Sequence, residues 1–89
     1  MEKIRKRFIF YGSVQGVGFR YRACHAANMF GVTGWVRNCS DGSVEMEAEG
    51  SPEAIDKLLL TIEQGHYITI ENLKETVIAA EGDRSFGIK

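Results

Sequence analysis

The chain has few of the residues that secreted or membrane-bound domains depend on. It contains one proline and two cysteines, Cys24 and Cys39, among 89 residues; the two could form one disulfide, but a chain without an export signal usually keeps its thiols reduced. The apolar run near its amino terminus, residues 8–11, is far shorter than a signal-peptide core or a membrane span. Neither sign of charge dominates, since 11 Lys and Arg face 12 Asp and Glu. We therefore expect a cytoplasmic protein with reduced thiols and no membrane or nucleic-acid partner.

The length limits the size of the fold. A chain of 89 residues buries only about 60 to 65% of the surface that its unfolded form exposes, which is enough for one core. There is no internal repeat, linker or low-complexity stretch in the sequence. We therefore expect residues 1–89 to form a single domain, and we expect that domain to be a monomer.

The first half of the chain shows a strand, a helix and two more strands. Residues 6–11 carry apolar side chains on both faces, which predicts a central strand covered on two sides. Apolar residues recur at helical spacing from Phe19 to a stop at Gly31. Strands over 32–39 and 43–49 are joined by an Asp-Gly turn, and alternating glutamates in the second predict a solvated face.

The second half predicts one more helix and one or two strands. Ser51 is a good N-cap for a helix that ends at Gly65, and residues 67–78 favour an extended chain. A short extra strand can follow at residues 86–88. The order βαββαβ is the split βαβ plan of ferredoxin-like α+β domains. We therefore expect an antiparallel sheet with both helices on one face.

The segment between the first strand and the first helix carries the clearest chemical signal. Residues 13–18 contain two closely spaced glycines, which indicates a tight loop whose backbone a ligand can approach. The first amides of the following helix lack intrahelical partners and lie at the positive end of its dipole. Arg20 follows at once, and its guanidinium can grip two phosphate oxygens. From the residues alone, an anion site and a plain glycine turn with a solvated arginine both stay open.

Two segments are similar to the signatures of the acylphosphatase family. Gly-Ser-Val-Gln-Gly-Val-Gly-Phe-Arg, which ends at Arg20, resembles the first signature. Gly-Trp-Val-Arg-Asn, which ends at Asn38 and is followed by Gly42, Val44 and Gly50, resembles the second. The resemblance implies hydrolysis of the carboxyl-phosphate anhydride bond in small acyl phosphates, with inorganic phosphate as a product and no metal or cofactor. It is weakest after Gly65.

The resemblance also implies a role for each matching residue. Arg20 and Asn38 are the expected catalytic residues, with Arg20 clamping the phosphoryl group and Asn38 holding the attacking water. The expected phosphate-binding backbone amides are those of Gln15, Gly16, Val17, Gly18, Phe19 and Arg20. These roles suit the chemistry, because carboxylates leave easily and phosphoryl transfer asks mainly for positioning and charge stabilisation.

Two alternatives from other functional classes stay open. An acylphosphatase-like module could bind an anion or a partner without turnover, since site residues do not prove activity. RNA-recognition domains share the split βαβ plan but stack bases on exposed sheet aromatics, where this sequence is expected to show glutamates. His25 and His66 are expected to be structural or surface residues, and Trp35 a core residue. The spacing of the cysteines and histidines does not fit a structural zinc site.

Overall fold

The computed structural model describes residues 2–89 and shows two helices packed on a five-stranded sheet. The elements in chain order are β1 (Ile4–Ser13), α1 (Phe19–Phe30), β2 (Thr33–Asn38), β3 (Val44–Gly50), α2 (Pro52–Glu63), β4 (Thr69–Ile78) and β5 (Phe86–Ile88). The sheet order is β4-β1-β3-β2-β5. The first four strands pair antiparallel, whereas β5 pairs parallel with β2. The predicted ferredoxin-like fold is confirmed, and the short extra strand makes its sheet mixed.

Strand alternation decides which side chains enter the core. Phe8 and Phe10 of β1 are fully buried and lie opposite Met46 and Val44 of β3. They form one apolar cluster with the buried side chains of both helices, which are Phe19, Ala23, Ala26, Ala27, Ile55, Leu58 and Ile62. Both helices therefore cover the same face of the sheet. Neither of them, within residues 2–89, has the length and apolar character needed to cross a membrane.

Local capping interactions define the ends of both helices. Gly31 adopts a left-handed conformation after α1, and its N–H donates to the carbonyl of Ala27. The hydroxyl of Ser51 accepts from the N–H of Ala54 at 3.1 Å, the capping bond that the sequence predicts. The carboxyl end of α2 differs slightly, because the helix ends at Glu63 and not at Gly65.

The outer face of the sheet is not the solvated glutamate face that the sequence predicts. Glu45 and Glu49 are only 4% and 6% exposed. Glu45 pairs with Arg7 on one side and Arg37 on the other. Burial alone would raise the pKa of Glu45, but the hydrogen bonds from Arg37 and Arg7 outweigh it and lower that pKa. The alternation of apolar residues and glutamates in β3 correctly predicted that the glutamates lie on the outer face. It could not predict their burial, because the arginines that cover them lie on other strands.

Arg5 is the centre of a second group of ion pairs on the outer face and is fully buried. Its Nε donates to Glu47 Oε1 at 2.8 Å, and its Nη1 donates to Glu49 Oε1 at 3.2 Å. Its Nη2 lies 3.1 Å from Asp83 Oδ2. Burial opposes the charge, but these carboxylates more than compensate, so the pKa of Arg5 rises further above its usual value. The predicted central position of β1 is correct, since β1 lies between β4 and β3. The helices cover only one of its faces, and on the other face Arg5 and Arg7 are paired with glutamates of β3.

The segment before β5 is fastened to the same outer face. The carboxylate of Glu49 accepts from the backbone N–H groups of Glu81 and Gly82, at 2.7 and 3.0 Å. These bonds and the nearby Arg5 lower the pKa of Glu49. These bonds hold the segment that leads into β5, and β5 itself pairs with β2 as an edge strand of the sheet.

Trp35 is not a core residue. It lies half-buried on β2 in register with Glu47, on the outer face of the sheet. Lys89 Nζ is 4.2 Å from its ring centroid and the guanidinium carbon of Arg37 is 5.8 Å away. Two cations therefore flank a ring that the sequence alone assigned to the apolar core.

Candidate active site

One cavity brings the two predicted catalytic side chains together. It encloses about 190 Å³ and is lined by Val14, Gly16, Gly18, Phe19, Arg20, Tyr21 and Asn38. The loop of residues 14–18 follows β1, and Asn38 is the last residue of β2. Because β1 and β2 both run antiparallel to the β3 strand between them, their carboxyl ends lie at the same edge of the sheet. The βαβ crossover therefore places the loop beside Asn38.

The loop is anchored at both ends and turns its backbone outward between them. Val14 and Phe19 are 1% and 2% exposed and belong to the apolar core. Between them, Gly16 and Gly18 have φ values of 71° and 78°, a left-handed conformation that favours glycine. A Cβ atom at either glycine would meet no atom within 4 Å. The backbone at these two positions therefore borders open space.

The amides of this loop have no partner within the backbone. Among residues 2–89, the amides of residues 15–20 donate no backbone hydrogen bond, and the first such bond beyond β1 runs from Arg22 N to Gly18 O at 3.0 Å. Gly18 provides no side-chain cap, and the first turn of α1 has no acidic residue to occupy the site. Free N–H groups at the positive end of a helix dipole attract anions. The cradle, by which we mean residues 15–20, therefore has the geometry of an anion site.

The side chain of Gln15 is a feature that sequence reasoning missed. Its Nε2 donates to the carbonyl oxygen of Cys39 at 2.7 Å and to that of Ser43 at 2.9 Å. The sequence pointed only to the backbone amide of this residue. Its acceptors lie 24 and 28 residues further along the chain, so no local pattern reveals them.

The turn between β2 and β3 is rigidly bonded next to Asn38. Asp41 Oδ1 accepts from the N–H of Ser43 at 3.0 Å and also from the Ser43 hydroxyl. The hydroxyl and the N–H of Ser43 lower the pKa of Asp41. Cys39 N donates to Ser43 O at 2.9 Å, and Gly42 N donates to Cys39 O at 3.2 Å. Asp41 is thus a turn former, as its place in the sequence predicts.

Other residues considered from the sequence lie elsewhere. His25 and His66 are exposed and do not line the cavity. Cys24 and Cys39 are both free thiols. Within residues 2–89, no group of three or more His, Cys, Asp or Glu side chains is placed to hold a metal ion. Tyr21, which the sequence did not single out, lines the cavity and is 76% exposed.

Comparison with known proteins identifies the family of this chain. The family model described as Acylphosphatase matches residues 6–88. The chain belongs to the acylphosphatase family. The match reaches well beyond the two signatures and includes the part after residue 65, where the resemblance was weakest.

Individual acylphosphatases agree with this assignment in sequence and in structure. An acylphosphatase of Bifidobacterium longum is 42% identical over 89 residues, covering 97% of this chain and 92% of that protein. One of Yersinia pseudotuberculosis is 51% identical over 65 residues, covering 73% of this chain and 71% of that protein. The crystal structure of acylphosphatase from Bacillus subtilis superposes with a TM-score of 0.90 at 34% identity, over 97% of this chain and 98% of that one. The predicted family and acylphosphatase assignment are confirmed.

Proposed function

We propose that the chain hydrolyses the carboxyl-phosphate anhydride bond of small acyl phosphates at the cavity formed by the cradle, Arg20 and Asn38. The observation that carries this proposal is that unpaired loop amides, a guanidinium and a neutral amide border one cavity. Phosphoryl transfer needs these parts, since its catalysis consists mainly of positioning and electrostatic stabilisation.

The first step is capture of the phosphoryl group. The cradle amides and the Arg20 side chain bind its non-bridging oxygens, with Arg20 acting as a planar fork. The cavity of about 190 Å³ equals the liquid volume of about six water molecules. A phosphoryl group and one water fit within it, and we propose that the acyl group lies toward Tyr21, which lines the cavity and is exposed.

The second step is attack by water held at Asn38. A side-chain amide cannot remove a proton at neutral pH, but its carbonyl oxygen can accept a hydrogen bond and orient the water. As the water oxygen bonds to phosphorus, the bond from phosphorus to the acyl oxygen breaks and a carboxylate leaves. The water proton passes to a phosphoryl oxygen of the substrate. The products are a carboxylate and inorganic phosphate, and none of these steps uses a metal or a cofactor.

Separate variants test the two roles. Hydrolysis of benzoyl phosphate is measured in the presence of a chelator, and phosphate binding is measured from the rise in melting temperature that phosphate causes. Arg20→Ala should lose both phosphate binding and turnover, whereas Asn38→Ala should lose turnover and keep phosphate binding. Parallel loss of both properties in Asn38→Ala would contradict the division of roles. Arg84→Ala and Asn28→Ala are matched controls, because both side chains are exposed and neither lines the cavity.

The wild-type protein also tests the alternatives. If it binds phosphate but turns over no acyl phosphate, the chain is a silent anion-binding module. The outer face offers the RNA-binding alternative the half-buried ring of Trp35, but Arg5, Arg7 and Arg37 on that face are already paired with glutamates. We also propose a monomer, since a single copy supplies every residue of the cavity, and a cytoplasmic location, since the chain has few cysteines and both are free thiols.

A further inference from the structure

Gln15 connects the two sides of the proposed site. Its backbone belongs to the cradle, while its half-buried side chain reaches across to the β2–β3 turn. A side-chain amide has two N–H donors, and this one serves two carbonyl oxygens, those of Cys39 and Ser43. The donor capacity of the side chain is therefore directed to the turn and not to a ligand.

Both acceptors lie at the base of the turn that follows Asn38. The Cys39 carbonyl also accepts from the turn at Gly42, and the Ser43 carbonyl also accepts from Cys39 N. Asn38 pairs with Val44, the residue directly after Ser43, as the last pair of the β2–β3 ladder. The two bonds from Gln15 thus hold the carbonyl groups of Cys39 and Ser43, the residues next to this last pair.

We propose that Gln15 is a positioning residue, whose side chain holds the Asn38 end of the β2–β3 hairpin at a fixed separation from the cradle. This inference rests on the proposed function for its catalytic meaning. The attacking water is bound from the hairpin and the phosphorus from the cradle, so the attack distance depends on how these two elements are joined. A misplacement of about 1 Å costs about 100-fold in rate.

The kinetic test replaces Gln15 with a side chain of similar length that cannot donate. In Gln15→Met, kcat for benzoyl phosphate should fall by about 10- to 100-fold, while phosphate affinity is kept, because the cradle amides and Arg20 are intact. Gln64→Ala is the matched control, since Gln64 is the chain's other glutamine, is exposed and lies outside the cavity. An unchanged kcat, or an equal loss of kcat and phosphate affinity, would overturn the proposal.

A second variant gives a pH signature that a general loss of packing would not produce. In Gln15→Glu, the ionised carboxylate only accepts hydrogen bonds and faces two carbonyl oxygens. When protonated it donates one bond, and bonding to its neutral form raises its pKa above about 4.3. The ratio of kcat in Gln15→Glu to kcat in Gln15→Met should therefore rise as the pH falls from 7 toward about 5. A ratio that stays constant would contradict the positioning role.

Hydrogen exchange tests the connection independently of turnover. Loss of the Gln15 bonds should speed exchange of the Cys39 and Gly42 amides, which share the same carbonyls, and leave the capped amide of Ala54 unchanged. Unchanged exchange at Cys39 and Gly42 in Gln15→Met would overturn the inference even if wild-type activity were present. An inactive wild type with faster exchange in the variant would instead reject the proposed function and retain the structural link.

Discussion

Replacing Arg5 with methionine is the sharpest test of what holds the outer face of the sheet together. Methionine keeps the length and apolar stem of the side chain and removes its charge. The lost contacts are those to Glu47, Glu49 and Asp83, at 2.8, 3.2 and 3.1 Å, and a longer one to exposed Glu81 at 3.5 Å. Arg5 is fully buried and Glu49 is 6% exposed, so the substitution leaves carboxylates without their shared cation in a place that water reaches poorly.

The expected cost follows from this burial. Removing one partner of a buried ion pair destabilises a protein by about 3 to 5 kcal/mol. We expect about 3 kcal/mol, the lower end of that range, because Glu49 keeps two backbone donors and Asp83 is 35% exposed. For a domain of this size, each kcal/mol lowers the melting temperature by about 4 to 8 °C. Arg5→Met should therefore melt about 12 to 24 °C below the wild type.

Urea unfolding provides the measurement and Lys6→Met the matched control. Lys6 pairs with Glu75 in a more open setting, where the side chains are 21% and 41% exposed. Such a pair contributes only about 0.2 to 1 kcal/mol. The unfolding midpoint of Arg5→Met should fall far more than that of Lys6→Met, with similar slopes for both. Equal losses in the two variants would refute the reasoning that burial of Arg5 gives its ion pairs their importance.

Three further predictions concern pH, backbone contact and substrate. Two backbone amides and Arg5 lower the pKa of Glu49. Its contribution to stability is therefore present above about pH 4.3 and is lost as the pH falls through its folded-state pKa. In Glu49→Gln, the free energy of unfolding should decrease less steeply as the pH is lowered. Gly34→Ala should destabilise by about 4 kcal/mol or more in urea unfolding, because its Cβ would lie 1.9 Å from the backbone oxygen of Glu47, whereas Gly87→Ala, with nothing within 4 Å, should not. Tyr21→Ala should raise KM for benzoyl phosphate about 2- to 10-fold more than KM for acetyl phosphate, as expected for loss of an aromatic contact, and equal changes would argue against contact with the acyl group.

The amino-acid sequence by itself determined the order of the elements, the glycine-rich loop before α1 and the family. These features depend on short-range chemistry, such as apolar periodicity, the Ser51 cap, the stop at Gly31 and the closely spaced glycines before Arg20. The two signatures placed Arg20 and Asn38 in order along the chain. The split βαβ topology then requires the loop after β1 and the end of β2 to lie at the same edge of the sheet.

Only the tertiary structure decided which polar groups pair across the sheet. The burial of Arg5, the pairing of the β3 glutamates with arginines and the placement of Lys89 against Trp35 all depend on which strand lies beside which. The bonds of Gln15 span 24 and 28 residues, and those of Arg5 span 42 and 44. Hydrogen bonds and ion pairs between distant segments produce no periodic pattern in a sequence. A charged or amide side chain is equally compatible with a solvated surface, and only the fold shows which partner lies against it.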